Sequence, residues 1–101
     1  MKINIKSDGH QSTVLFIGDL DTLATTRQAD ELQKVLAIAD QSLLIDCSQL
    51  QYISSAGLRF FLQLKRESEA KGGSVRFSRP SNDVADIFRL SGFENIFVIE
   101  K

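Results

Sequence analysis

Two periodicities alternate along this chain, and their order restricts the fold more than any other feature of the sequence. Short apolar segments rich in β-branched residues, typical of strands, alternate with longer segments whose apolar residues recur every three or four positions, as in helices. Strand character is found in residues 2–6, 12–17, 43–45, 75–77 and 96–99. Helical spacing is found in residues 22–39, 55–71 and 81–91. The sequence therefore predicts the order β-β-α-β-α-β-α-β.

The connections between these elements indicate how the strands pair. Strands separated by helices pair in parallel, whereas the first two strands are separated only by a short turn containing Asp8 and Gly9, which predicts a hairpin. We therefore expect an α/β sandwich with a mixed, mainly parallel sheet. The segment Leu43–Ile45 is apolar throughout, which is typical of a strand covered on both faces. The predicted sheet core comprises Ile5, Val14, Phe16, Leu44, Val75, Phe77 and Val98.

Composition argues against several functional classes. The 101 residues suffice for one domain, so we predict a single domain over 1–101. The net charge is −1, which argues against nucleic-acid binding and against a polybasic membrane anchor. A single cysteine and a single histidine argue against a metal site, and no cofactor is expected. The start of the chain is too polar for a signal peptide and no apolar run approaches the ~20 residues of a membrane span, so we expect a cytoplasmic protein.

Polar residues follow the third predicted strand, at the edge where open α/β sheets place their binding sites. Asp46 and Ser48 come directly after this strand, and Ser54 and Ser55 open the next helix. A hydroxyl at a helix N-terminus faces unpaired N–H groups and the positive end of the helix dipole, where a phosphate is stabilised. Serine is also a common helix cap, and the two roles are compatible. Gly57 costs a helix about 1 kcal/mol relative to alanine, and we interpret it as letting another molecule approach the backbone.

The catalytic side chains that a serine enzyme needs are scarce in this chain. A serine hydrolase requires a base beside Ser55, and His10, in the predicted hairpin turn, is the only histidine. Gly-x-Ser-x-Gly, Walker and Gly-x-Gly-x-x-Gly motifs are absent from the sequence. Cys47 is expected to be a small buried residue. We therefore predict that the protein is not an enzyme.

Two segments carry a resemblance to a known family. Ile-Asp-Cys-Ser at 45–48 and Tyr-Ile-Ser-Ser-Ala-Gly-Leu-Arg at 52–59 closely resemble the STAS domain family, in particular the bacterial anti-sigma factor antagonists. The resemblance extends over essentially the whole chain and includes Gly-Asp-Leu-Asp at 18–21 and Leu-Ser-Gly-Phe at 90–93. It implies a STAS-like sandwich.

The resemblance also implies a phosphorylation switch. In this family the unphosphorylated antagonist binds an anti-sigma factor that is itself a serine kinase, and the sigma factor is released. The kinase phosphorylates one serine at the start of the helix, which breaks the complex, and a serine phosphatase removes the phosphate. The usual motif is Asp-Ser-Ser/Thr-Gly-Leu. Alignment on Gly57 and Leu58 places the phosphorylated serine at Ser55, with Ser54 in place of the aspartate and Ala56 in place of the second hydroxyl residue.

Further residues have both a functional and a structural interpretation. The partner-binding residues implied by the resemblance are Asp21, Ser54, Ser55, Gly57, Leu58 and Arg59. Asp21 fits an N-cap of the first helix equally well, competing with a Thr25–Gln28 capping box, and Arg59 fits a solvated surface residue. Asp46 and Ser48 are expected to support the site, Asp46 by accepting hydrogen bonds from backbone N–H groups.

One alternative function comes from the same family. Some STAS proteins are adaptor subunits of bacterial lipid transporters or docking modules in signalling assemblies, with no phosphorylation cycle. The sequence features above are compatible with this role as well.

Overall fold

One five-stranded sheet organises residues 1–100, the part of the chain that the computed structural model describes. Its strands are β1 (Lys2–Asp8), β2 (Gln11–Leu20), β3 (Ser42–Ile53), β4 (Ser74–Ser78) and β5 (Val98–Glu100). The helices are α1 (Thr22–Arg27), α2 (Ala29–Ala37), α3 (Ser55–Lys71) and α4 (Asn82–Leu90), with a 3-10 turn at Phe93–Asn95. The predicted fold class, an α/β sandwich with a mixed, mainly parallel sheet, is confirmed.

The strands lie in the sheet in the same order as in the sequence. β1 pairs with β2 antiparallel, through the predicted hairpin at Gly9 and His10, and the three remaining pairs are parallel. Every helical crossover therefore moves in the same direction across the sheet. Since such crossovers are right-handed, all the helices lie on one face. Phe77 of β4 is on this face, and its ring lies 4.9 Å from Phe61 of α3 and 5.6 Å from Phe88 of α4.

No helix formed by residues 1–100 covers the other face of the sheet, and this corrects the interpretation of β3. Leu43 and Ile45 are fully buried on the helical face. Leu44 points to the open face, where it is half-buried and aligned with Thr13 on β2 and Arg76 on β4. The expectation that this strand is covered on both faces is therefore wrong, because an uninterrupted apolar run does not by itself show how many faces are packed.

The core consequently differs from the predicted one. Val14, Phe16 and Phe77 are fully buried, as predicted. Leu44 is only half-buried, and Val98, also on the open face, is 58% exposed. Two further predicted residues, Ile5 and Val75, lie on the helical face but are incompletely covered. The observed core is instead rich in aromatic rings, because it includes all seven phenylalanines of the chain: Phe16, Phe60, Phe61, Phe77, Phe88, Phe93 and Phe97.

β3 is much longer than the sequence suggested. It continues past Asp46 to Ile53, over 12 residues. Two register shifts against β2 place extra residues on β3, and they turn Leu50 and Ile53 toward the helical face. This interrupts the alternation of buried and exposed positions, so the second half of the strand lacks the period of two by which strands are recognised.

The first helical segment is divided into two helices. α1 ends and α2 begins around Gln28, where a single helix was predicted. The Asp21 carboxylate caps α1 by accepting a hydrogen bond from the Ala24 N–H at 2.8 Å. The N-cap interpretation of Asp21 is therefore confirmed, and the competing Thr25–Gln28 capping box is wrong.

An ion pair at the open face joins β3 to the connection after β4. The Asp46 carboxylate, 13% exposed, accepts hydrogen bonds from the Ser48 N–H at 2.9 Å and from the Arg79 guanidinium at 2.8 Å. Arg79 has a left-handed backbone (φ 53°), which is uncommon for a residue other than glycine. Burial raises the pKa of Asp46, but the Ser48 hydrogen bonds and the Arg79 charge together outweigh it and leave the pKa below its usual range.

This lowered pKa predicts a specific pH dependence of stability. Asp46 stabilises the folded state at pH values above the ordinary aspartate pKa of about 3.9, and this contribution is lost as the pH falls through the lower folded-state pKa. Asp46→Asn should therefore be less stable than the wild type at pH 7, and the difference should shrink below about pH 4. Urea unfolding at several pH values measures this.

The control is Asp86→Asn, which removes an exposed ion pair with Arg89 in α4. Exposed pairs contribute little, so this variant should stay close to the wild type throughout. A destabilisation of Asp46→Asn that does not change between pH 7 and pH 3 would contradict the assignment.

Candidate functional site

The site lies where β2 and β3 end side by side. Leu20 on β2 is paired with Ile53 on β3, and the Ser54 N–H donates a hydrogen bond to the Leu20 carbonyl at 3.0 Å. Directly after these residues, Asp21 caps α1 and Ser54 occupies the N-cap position of α3. The N-termini of two helices therefore open at the same edge of the sheet, beside Ser55.

Ser55 is the exposed first residue of the 17-residue helix α3. Ser54 does not cap this helix: its Oγ is buried and has no hydrogen-bond partner within the described part of the chain. By contrast, Asp21 caps α1 and Ser81 caps α4 through their side chains. The N–H groups of the first turn of α3 are therefore left without a capping side chain next to an exposed hydroxyl, an arrangement that favours an anion attached to Ser55.

Gly57 faces the interior, which corrects the reason given for it. It is buried, and a Cβ atom at this position would lie 2.6 Å from the Leu20 carbonyl oxygen and 2.7 Å from Cγ1 of Ile53. The glycine is thus required by the close approach of α3 to the ends of β2 and β3, and not by the approach of another molecule. Leu58 is half-buried against the same core, whereas Arg59 is exposed.

Asp46 accepts a hydrogen bond from a backbone N–H group, as expected, but neither Asp46 nor Ser48 lies at the serine turn, which comprises Ser54 and Ser55 at the start of α3. Both lie inside β3, eight and six residues before Ser54, which corresponds to as much as about 26 Å and 20 Å along an extended strand. Asp46 accepts a hydrogen bond from the Ser48 N–H, but its other partner is Arg79. The prediction placed the end of the strand at Asp46, and the actual end at Ile53 moves both residues away from the site.

Two exposed apolar side chains lie at the same edge of the sheet. Tyr52, the neighbour of Ile53 on β3, is 49% exposed, and Leu23 in the first turn of α1 is 56% exposed. Tyr52 opens the segment 52–59 that carries the family resemblance, and its exposure favours an interface role over a packing role. Leu23 was not predicted from the sequence. The feature that could have identified it is its apolar side chain at the start of α1, outside the buried face of that helix. Exposed apolar groups beside a polar site are typical of protein-binding surfaces.

A groove of about 380 Å³ begins next to the serine turn and follows α3. Ala56, the residue after Ser55, lines its start, and Arg59 lies along it. Its remaining lining residues on α3 are Phe60, Gln63 and Arg66, and those on the opposite wall are Thr25, Ala29, Leu32, Gln33 and Leu36. The sequence did not predict this groove, because it is formed by helices distant along the chain.

Apart from the site described above, residues 1–100 have few features of a reactive, metal-binding or membrane-spanning protein. Cys47 is fully buried, and burial, with the nearby negative charge of Asp46, raises the pKa of its thiol to about 12. Among residues 1–100, no group of three or more His, Cys, Asp or Glu side chains is placed to hold a metal ion. Within the same residues, no helix has the length and apolar character required to cross a membrane.

Comparison with known proteins agrees with this architecture. A family model described as "Mlab, STAS domain" matches residues 3–100. The chain belongs to the STAS domain family. The family expected from the two sequence segments is thereby confirmed.

Relatives of this STAS domain include anti-sigma factor antagonists. It is 28% identical over 89 residues to a Bordetella bronchiseptica protein named "Putative anti-sigma factor antagonist BtrV", covering 84% of this chain and 77% of that protein. The unphosphorylated anti-sigma factor antagonist SpoIIAA has a TM-score of 0.79 at 20% identity, covering 99% of this chain and 89% of its own.

Two more solved structures share the fold. The phosphorylated form of SpoIIAA, from Bacillus, has a TM-score of 0.70 at 18% identity, over 99% of this chain and 92% of that one. An anti-sigma factor antagonist of Mycobacterium paratuberculosis has a TM-score of 0.83 at 17% identity, covering 98% of this chain and 84% of that one. The fold of this chain is thus the SpoIIAA-like STAS fold.

The packing around Gly57 predicts that replacing this glycine by alanine destabilises the fold, whereas the same change stabilises most helices. In an exposed helix, replacing glycine by alanine stabilises by about 1 kcal/mol. Here the added methyl group meets a backbone oxygen, so we expect Gly57→Ala to lower the free energy of unfolding by about 1–3 kcal/mol in urea titrations. Gln63→Ala, at an exposed position of the same helix, should stay within about 0.5 kcal/mol of the wild type. A stabilised Gly57→Ala would contradict the close packing.

The environment of Cys47 predicts an unreactive thiol. Because the group is fully buried and its pKa is about 12, the thiolate that reacts with disulfide reagents is scarcely populated at pH 8. We expect no reaction of the folded protein with Ellman's reagent over minutes, and release of one equivalent in denaturant. Rapid release from the folded protein would show that the environment of Cys47 is open.

Proposed function

We propose that this STAS domain is an anti-sigma factor antagonist, which binds an anti-sigma factor in its unphosphorylated form and so releases a sigma factor. The observation that carries the proposal is the exposed Ser55 on the N-terminus of α3, which has no side-chain cap, with exposed Leu23 and Tyr52 at the same edge of the sheet. The antagonist names of BtrV, SpoIIAA and the mycobacterial protein support it. The edge of the sheet formed by the ends of β2 and β3 is then the partner surface.

In this proposal Ser55 receives the phosphate. The anti-sigma factor acts as the kinase: Ser55 Oγ attacks the γ-phosphorus of its bound ATP, the bond to ADP breaks, and the hydroxyl proton passes to a base on the kinase. A serine phosphatase later hydrolyses the phosphate ester. The existence of solved SpoIIAA structures in unphosphorylated and phosphorylated forms supports such a cycle.

The charge of the chain makes a single phosphate effective. The formal net charge is −1, and a phosphoserine adds about −1.5 to −2 at pH 7, all at one edge of the sheet. The helix N-terminus stabilises this charge within the chain by roughly 0.3–1 kcal/mol. A partner surface that carries acidic groups or nucleotide phosphates is repelled by it. The switch therefore needs no change of fold, and both SpoIIAA forms share the fold of this chain.

The positions of Ser55 and His10 support a role for Ser55 other than that of a catalytic nucleophile. His10, the only histidine, lies in the hairpin turn before β2, whereas Ser55 follows the opposite end of the sheet. The ten residues of β2 separate the two ends by about 30 Å. We therefore propose that the chain acts by being bound and modified, and not by catalysing a reaction.

Substitutions at Ser55 test the proposal directly. We expect Ser55→Ala to bind the anti-sigma factor as the wild type does, and Ser55→Asp to bind it about a hundredfold more weakly, a loss of about 2.7 kcal/mol. Ser74→Asp is the matched control, because Ser74 is exposed at the opposite edge of the sheet, and it should bind normally. Isothermal titration calorimetry measures the affinities.

Mass spectrometry after incubation with the anti-sigma factor and ATP locates the modification. We expect one phosphate on the peptide that contains Ser55 and none in Ser55→Ala. Equal labelling of Ser55→Ala would refute the site. Equal affinities of Ser55→Ala and Ser55→Asp would instead favour the adaptor role without a phosphorylation cycle.

A further inference from the structure

The groove along α3 has an unusual charge for this chain. Among the described residues, Arg59 and Arg66 are the only charged ones that line it, and both side chains are exposed. Neither forms an ion pair with any residue in 1–100. By contrast, the two lysines of α3 form ion pairs, Lys65 with Glu69 at 3.1 Å and Lys71 with Glu67 at 3.7 Å. The net charge of the chain is −1, yet within the described part of the chain this groove is lined by two unpaired guanidinium groups and by no acidic side chain.

The spacing of the two arginines defines what fits between them. They are seven residues apart on α3, two helical turns, which separates them by about 10.5 Å along one face. Between them the groove is lined by apolar side chains that are nearly buried, Leu32, Leu36 and Phe60. These three side chains expose only 5%, 6% and 7% of their surface, so a complementary ligand carries two negative charges at the same separation and makes only a narrow apolar contact between them.

We propose that this groove binds an acidic amphipathic helix of a partner protein. Its carboxylates, seven residues apart, pair with Arg59 and Arg66, and its apolar residues pack between α2 and α3. The groove walls are helices, so the groove offers side-chain contacts and no strand edge, and this favours a helix over an extended peptide. Arginine pairs with carboxylates in bidentate geometry, which gives the contact its specificity.

The groove is coupled to the serine turn by position. Ala56 lines the start of the groove, and Arg59 follows Ser55 by one helical turn, at which spacing the Cβ atoms of a helix are about 5–6 Å apart. A phosphate on Ser55 therefore competes with the acidic helix for Arg59 and repels its nearest carboxylate. This step rests on the proposed function, whereas binding of the acidic helix does not require it.

A defined peptide tests the groove without any knowledge of the partner. The probe is a fluorescein-labelled, acetylated 18-residue amphipathic helix with leucines on one face and two glutamates seven residues apart; a second peptide has lysines in place of the glutamates. Fluorescence anisotropy is measured with the full chain. We expect the glutamate peptide to bind, the lysine peptide not to bind, and the affinity to fall as salt is raised from 50 to 500 mM.

Charge reversal locates the binding. Arg66→Glu should weaken binding of the glutamate peptide at least about tenfold. Lys6→Glu is the matched control, since Lys6 is exposed on β1 away from the groove and the charge change is the same. Circular dichroism confirms that both variants are folded. Equal binding of the two peptides, or an unchanged affinity in Arg66→Glu, would overturn the proposal.

The coupling has its own measurement. Ser55→Asp should weaken the binding of the glutamate peptide severalfold, and Ser55→Ala should leave it unchanged. If peptide binding depends on Arg66 while Ser55 is never phosphorylated, the groove assignment is supported and the phosphorylation switch is refuted. If Ser55 is phosphorylated but the affinity for the peptide does not depend on Arg66, the phosphorylation switch is supported and the groove assignment is refuted.

Discussion

The handedness of the crossover connections is the constraint on which the rest of this molecule depends. The strands follow one another across the sheet in sequence order, so right-handed crossovers place every helix on the same face. One face then carries the whole core, and all seven phenylalanines are gathered there. The edge-to-face contacts of Phe61 and Phe77, with ring centroids 4.9 Å apart, join α3 to the sheet. The open face carries polar interactions instead, such as the Asp46–Arg79 ion pair.

This one-sided packing also positions the serine turn. Because α3 approaches the ends of β2 and β3 so closely that only glycine fits at position 57, the first turn of the helix is held against the sheet and Ser55 projects outward. The same packing forms the groove between α2 and α3 in which Arg59 lies. A modification at Ser55 and a ligand in the groove would therefore act on adjacent parts of one surface.

Much of the fold was predictable because its signals are local. The hairpin at Gly9, the start of α3 at Ser55 and its end at residue 71 each depend on a few neighbouring residues, and the structure has them where they were predicted. The errors arose where the deciding contacts are distant in sequence. The register shifts of β3 depend on its pairing with β2, and the strand that contains them continues past Asp46 and Ser48 to Ile53, so both residues lie before its end.

The sequence by itself determined the alternation of strands and helices, the family, and an exposed serine at a helix start in a chain with one histidine and a net charge of −1. These are properties of local spacing and composition. Only the tertiary structure decided that Gly57 faces inward, that Tyr52 and Leu23 are exposed at one edge, and that two arginines line a groove. The physical reason is that the side on which a residue lies, and what it meets there, depends on strand register and on which face the crossovers cover.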